Sequence, residues 1–180
     1  MQKTSIKIQG DRIYLREIEL GDVNQKYVNW LIDPEVNKYL ETRHKIQTIE
    51  TVYEYVKQMI AKKDELLFSI CFKKNDNHIG NIKLGPINLN HKYAEISLLI
   101  GEKNEWGKNL ATEAIQILST YAINILKLHK LTAGSYANNI GSIKSFEKAG
   151  FIIDGTWKNH YLCDGEYVDR ICFSLINDEI

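Results

Sequence analysis

The run Ala94-Glu95-Ile96-Ser97-Leu98-Leu99-Ile100-Gly101, followed four residues later by Trp106-Gly107-Lys108-Asn109-Leu110-Ala111-Thr112-Glu113-Ala114, decides the fold of this chain. Its first half is rich in β-branched and leucine residues and reads as a strand. Its second half begins with small and flexible residues and passes into helical spacing, with Leu110, Ala114, Ile117, Leu118, Tyr121 and Ile125 predicted inward over residues 109–126. A strand thus feeds a short loop and then a long helix. The first turn of a helix exposes unpaired N–H groups, and the helix dipole adds positive potential there. Gly107 and Asn109 tolerate left-handed backbone angles, so successive N–H groups can converge, and Lys108 adds a charge. Such a loop suits a pyrophosphate; the alternative is a plain strand-to-helix connection.

Working outward, alternation predicts strands at 6–9 and 13–17 around the turn Gly10-Asp11. A helix is expected from Asp22, placed as its cap, to residue 32, where Asp33-Pro34 ends it. Thr48 is placed as the cap of a helix over 49–62, with Val52, Val56, Met59 and Ile60 at helical spacing. Strands follow at 66–73, 78–84 and 93–100 as an antiparallel meander. After the 109–126 helix come a strand at 128–136, a helix at 140–149, and strands at 151–162 and 167–175 joined by Asp164-Gly165. Repeats, low-complexity runs and linkers are absent, so one domain over 1–180 is expected.

Composition narrows the function classes. The 180 residues carry 44% hydrophobic and 26% charged side chains, with 23 basic against 23 acidic groups. A net charge of zero provides no global field for nucleic acid or an anionic membrane. Residues 1–7 lack the apolar stretch of a leader, and no apolar run is long enough to span a bilayer. Cys71, Cys163 and Cys172 are scattered and odd in number, which suits reduced core or strand thiols in a cytoplasmic setting. No clustered His, Cys and Asp spacing suggests a metal site, and no P-loop or dinucleotide fingerprint is present.

A second signature lies downstream, Asn139-Ile140-Gly141-Ser142-Ile143-Lys144-Ser145-Phe146-Glu147-Lys148-Ala149-Gly150-Phe151, with Asn139 as a natural helix N-cap and Gly150 as a natural stop. In this order and spacing, Gly107–Ala114 and Asn139–Phe151 resemble the GNAT N-acetyltransferase superfamily, specifically its RimJ/RimL-like branch. Tyr14-Leu15-Arg16, the Trp30…Asp33-Pro34-Glu35-Val36 segment and the hairpin Asp164-Gly165-Glu166-Tyr167-Val168-Asp169 extend the resemblance over nearly the whole chain. Three positions depart from the family pattern: Trp106 and Asn109 replace Gln/Arg and Gly in the loop, and Phe146 stands where many relatives carry a tyrosine.

The resemblance implies an α/β (α+β) fold, with a mixed, mostly antiparallel sheet of about seven strands flanked by helices on both faces. It also implies acetyl-CoA as cosubstrate and direct attack by a primary amine. The coenzyme would lie against Leu98, Leu99, Ile100, Trp106, Gly107, Lys108, Asn109, Leu110, Ala111, Thr112, Asn139, Ser142 and Lys148. Glu95 is the first candidate base, its alternative a salt-bridged strand glutamate, and His160 the second. Phe146 cannot protonate a thiolate, which moves that role to Ser142 or water. Glu41, Arg43, Tyr161 and Asp169 are candidate acceptor contacts, with a structural hairpin role the favoured reading of Asp169, while Trp157 and Tyr161 are expected to pack in the core, the alternative being to stack on an acceptor ring.

Acceptors served by the branch include ribosomal-protein N-termini, polyamines, aminoglycosides and amino-sugar nucleotides. The segment His78-Ile79-Gly80-Asn81-Ile82-Lys83-Leu84-Gly85-Pro86-Ile87 resembles relatives acting on amino sugars of surface polysaccharides, so a nucleotide-sugar amine is the narrow expectation. A coenzyme A-binding module without transfer is the non-enzymatic alternative. Dimers are common in the family, and nothing in the chain decides for or against one.

Overall fold

The computed structural model describes residues 6–177. Residues 1–5, where no leader is expected, and 178–180, the end of the expected 1–180 domain, lie outside the described residues. Eight strands form one sheet in the order β1-β2-β3-β4-β5-β6-β8-β7. They are β1 Lys7–Gln9, β2 Ile13–Glu17, β3 Leu66–Phe72, β4 His78–Asn88, β5 Tyr93–Ile100, β6 Lys130–Tyr136, β7 Ile152–Cys163 and β8 Glu166–Ile176. Among them run the helices α1 Gln25–Ile32, α2 Pro34–Asn37, α3 Ile49–Ala61, α4 Leu110–Asn124 and α5 Ile140–Lys148. The class is α/β with helices on both faces, and the sheet has the eight strands placed from the sequence, in keeping with the about seven that the resemblance implies.

Period-two alternation puts Phe68 and Ile70 on one face and Leu67 on the other. The first face packs Ile13, Leu15, Ile82, Ile96, Leu131 and Phe173 beneath Leu110, Ala114, Ile115 and Leu118 of α4 and Phe146 of α5. The second packs Leu67 and Ile18 beneath Tyr27, Trp30 and Leu31 of α1 and Val52, Val56 and Met59 of α3. Local signals govern the turns: Asp164 and Gly165 take φ 53° and 84°, as a two-residue hairpin requires, and Gly150 ends α5 at φ 95°.

Three expectations are corrected. Asp22 does not cap α1; the Asn24 side chain does, accepting from the Tyr27 N–H. Asp22 is instead buried, where its carboxylate takes both Nη atoms of Arg16 at 2.6 and 2.7 Å and the Ser69 hydroxyl at 3.0 Å. Ile125, expected inward, lies beyond the end of α4 and is 65% exposed, and Ile60 is likewise exposed. Trp157 stands half out of the sheet rather than in the core.

What positions a site is the one parallel junction. β5 and β6 pair only through Tyr93↔Lys130, Ala94↔Leu131 and Glu95↔Thr132, although β5 continues to Ile100 and β6 to Tyr136. Beyond Glu95 the strands part. On its other side β5 remains paired with β4 up to Ile100, so only the edge facing β6 is left open.

Candidate active site

The parting strands open a cleft of about 480 Å³. Its walls are Ser97–Ile100 of β5, Gly134 and Ser135 of β6, the loop before α4 with the first residues of that helix, and the inner side of α5. Val36, Tyr39 and Leu40 close one end.

Backbone geometry at the head of α4 follows from its residues. Gly107 and Asn109 have φ 74° and 60°, the left-handed region in which glycine and asparagine are least strained. The Asn109 side chain does not cap the helix; its oxygen accepts from Lys148 Nζ at 2.8 Å, tying the loop to the C-terminal end of α5. Leu110, Ala111 and Thr112, whose N–H groups belong to the helix's first turn, line the cleft. Trp106 donates its indole N–H to the Ile100 carbonyl at 2.8 Å, folding the loop back on the end of β5.

A second brace comes from far away in sequence. Glu113 accepts from the Arg12 and Ile13 backbone N–H groups at 2.7 and 3.1 Å and from Arg12 Nε at 2.9 Å, while Arg12 Nη1 donates to the Lys108 carbonyl. Burial pulls the Glu113 carboxyl upward, but these donors hold it below the ordinary carboxylate range.

Beyond Tyr39, next to the cleft, stands an aromatic group centred on the buried Tyr136. The Tyr136 hydroxyl donates to Glu41 Oε1 at 2.5 Å and accepts from Arg43 Nη2 at 2.9 Å. Arg43 also donates to the Leu40 and Leu162 carbonyls. Tyr136 stacks flat on Tyr161, with ring centres 3.9 Å apart, and tilts against Tyr39. Burial and the bond to Glu41 push the Tyr136 phenol up to about 12, so it remains a neutral donor at working pH. At the fork of β5 and β6, Glu95 Oε1 accepts from Arg170 Nη2 at 3.0 Å, with 42% of the glutamate side chain still exposed.

Of the coenzyme candidates, Leu98, Leu99, Ile100, Trp106, Gly107, Asn109, Leu110, Ala111, Thr112, Asn139, Ser142 and Lys148 all line the one cleft. Lys108 does not, its ammonium being engaged by Glu105 at 3.0 Å. Asn139 caps α5 by accepting from the Ser142 N–H, which sets Ser142 at the cleft wall. Phe146 lies on the cleft floor but is 2% exposed and packed against Phe151 and Phe173.

Glu41, Arg43 and Tyr161 come together in the aromatic group. His160 lies exposed beside it, edge-on to Tyr161 and Trp157. Asp169 is taken up by Lys158 at 2.8 Å and by the Asn159 N–H at 2.9 Å, where it braces the irregular stretch of β7. Sequence reasoning missed Tyr136, Arg170 and the Arg12 brace, because no local pattern marks residues that meet only after folding. No group of His, Cys, Asp and Glu able to hold a metal occurs among the described residues.

Residues 12–152 match the acetyltransferase (GNAT) domain family. The chain belongs to that family. It is an acyltransferase of the N-acetyltransferase kind, and acetyl-CoA is the donor the family uses. The uncharacterized N-acetyltransferase p20 of Bacillus licheniformis is 29% identical over 171 residues, 94% of this chain and 95% of that protein. A GNAT-family acetyltransferase structure from Bacillus anthracis superimposes with a TM-score of 0.83 at 22% identity, covering 97% of this chain and all of that one. The spermidine N-acetyltransferase of Vibrio cholerae, solved with CoA and spermine, gives 0.81 at 23% identity over 92% of this chain and 95% of its own. The cleft suits such a donor: an open strand edge, a helix head with converging N–H groups, and Lys144 and Lys148 in its wall.

Proposed function

We propose that this chain is a RimJ/RimL-like N-acetyltransferase of a small-molecule primary amine, with acetyl-CoA in the cleft and Glu95 as base. One observation carries this assignment: β5 and β6 separate immediately after Glu95, so the carboxylate stands where the open strand edge begins. Pantetheine lies along that edge and the pyrophosphate sits at Gly107–Thr112. A strand N–H polarises the thioester carbonyl, which is stabilisation by donors already in place. The amine nitrogen attacks the carbonyl carbon and the C–S bond breaks. Glu95 takes the ammonium proton, and the thiolate receives one from Ser142 or water. Holding both substrates together supplies the remaining advantage by proximity.

For the acceptor we favour an amino-sugar nucleotide. Tyr39 and Tyr161, each part-exposed and packed on the buried Tyr136, offer apolar surface to a ring, and the Arg43 guanidinium beside Tyr136 adds positive potential for a phosphate or carboxylate. A polyamine is the second reading, favoured by the likeness to the spermidine enzyme and by the carboxylates of Glu41 and Glu95. Thiol release from acetyl-CoA, measured against a 4-amino-sugar nucleotide, spermidine, a ribosomal N-terminal peptide and an aminoglycoside, separates these. Turnover on the sugar nucleotide alone is the expected result. Turnover on spermidine alone transfers the assignment to polyamines, and failure to bind acetyl-CoA by calorimetry ends it.

A further inference from the structure

Arg170 of β8 belongs to none of the sequence signatures, yet its surroundings are tightly specified. Its Nη2 donates to Glu95 Oε1 at 3.0 Å. On one side its guanidinium carbon stands 4.7 Å from the centre of the Trp157 ring. On the other it lies on the backbone of Gly134, where a Cβ would come within 2.4 Å of Nε and 2.5 Å of Nη2. Only glycine at 134 leaves room for the guanidinium. Strand register explains the meeting: Arg170 pairs across from Tyr136 on β6 and from Trp157 on β7, and Thr132 pairs with Glu95, so alternation brings all of these to one face.

Arg170 Nε is buried without a hydrogen-bond partner. Burying an unmatched donor on a cation is unfavourable, and a site that retains one does so because the group's position matters. Lysine could not replace this geometry, because a flat fork can lie between a ring and a glycine while one of its nitrogens points at a carboxylate. Trp157, half exposed, serves as the outer plate of the clamp.

We propose that Arg170 is a positioning residue for acetyl transfer: clamped between Gly134 and Trp157, it holds Glu95 by Oε1 and leaves Oε2 to receive the proton of the attacking amine. This rests on Glu95 as the base proposed above. The other ionisable groups nearby are Glu41 and Arg43 in the aromatic group, Tyr136 on β6, His160 and Tyr161 on β7 and Cys172 on β8. Among these, Glu41 and Arg43 are already joined through Tyr136.

A double-mutant cycle tests it, read as kcat and KM on whichever panel amine the wild type acetylates. Slow hydrolysis of acetyl-CoA, with water as acceptor, is measured beside it so that the cycle can be read without an amine. Glu95→Gln is expected to lower kcat on the order of 10²-fold or more, and Arg170→Met about 10-fold, both with the KM for acetyl-CoA unchanged. In the Glu95→Gln background, Arg170→Met should cost less than about 2-fold further, since its effect runs through the carboxylate. Gly134→Ala keeps both charges but displaces the guanidinium, and it should reproduce the Arg170→Met loss; Arg170→Lys should recover part of it.

Multiplying losses in the double variant overturn the proposal, as does an active Arg170→Met beside an inactive Glu95→Gln. Loss of melting temperature in Arg170→Met with kcat retained also overturns it, by making Arg170 structural only. A fully active Glu95→Gln instead removes the base assignment, and the role of Arg170 falls with it.

Discussion

On the side of the cleft proposed for the coenzyme, the loop itself is folded by near neighbours in sequence, Trp106 with Ile100 and Lys108 with Glu105, and is then braced from afar by Lys148 on Asn109 and by Arg12 on Glu113 and the Lys108 carbonyl. On the acceptor side, Tyr136 meets Glu41 95 positions away and Arg43 meets Leu162 119 positions away. On the first side the turn itself follows from a short run of residues, with Gly107 and Asn109 at the left-handed positions, and the distant partners only fasten it. The second exists only because the turn at Glu41–His44 is carried across to β6 and β7 by α1, α2 and the sheet order. The two sides should therefore respond to mutation separately, with the core beneath them as the common support.

Phe146 belongs to that support, and Phe146→Ala should produce the largest effect. Removing a ring stacked on Phe173 and edge-on to Phe151 should destabilise the fold by about 3–5 kcal/mol, lowering the melting temperature by roughly 10 °C in calorimetry. A loss below 1 kcal/mol would mean that the cleft floor can collapse into the space.

Next comes the buried pair beneath α1, remote from both sides. Asp22→Asn should cost about 2–3 kcal/mol in urea unfolding at pH 7, with no change in either substrate constant. Burial raises the Asp22 carboxyl, but Arg16, the Glu19 N–H and Ser69 together bring it below its ordinary value. The stability it contributes is therefore complete above the ordinary carboxylate range, near pH 4, and is lost as pH falls through the lowered value. The gap between wild type and variant should narrow from pH 7 to pH 3; a constant gap would mean that the carboxylate's charge plays no part.

The sides themselves are compared by a crossed pair. Tyr136→Phe should raise the acceptor KM roughly 10-fold, by removing a donor to Glu41 and an acceptor for Arg43, and leave acetyl-CoA affinity alone. Asn109→Val, forcing a β-branched residue to φ 60°, should weaken acetyl-CoA roughly 10-fold by calorimetry and leave the acceptor KM alone. If either variant moves both constants, the sides are coupled. Smallest of all is Asn109→Gly: it keeps the left-handed turn and loses only the Lys148 contact, so acetyl-CoA affinity should shift by no more than a few tenths of a kcal/mol.

Much of the architecture is legible in the chain because its signals are local. Alternation marked the strands, Asn139 and Gly150 bounded α5, Asp164-Gly165 closed the last hairpin, and the strand-loop-helix run at 94–114 announced the cleft. Local signals also misled: Asp22 and Asn24 are both good cap residues, and only the ion pair with Arg16 decided which one folded inward. Trp157, large and aromatic, belongs in a core by composition, but β7 is the edge of the sheet and leaves it half exposed.

By itself, then, the sequence determined what depends on neighbours along the chain: strand and helix periods, caps, turns, and the left-handed loop that lines the cleft. Only the tertiary structure decided which side chains complete the site. Glu95 and Arg170 are 75 positions apart and meet because β5, β6 and β8 are neighbours in the sheet, and because Gly134 leaves the space between them empty. A contact of that kind is set by strand order and register, which no window of sequence contains.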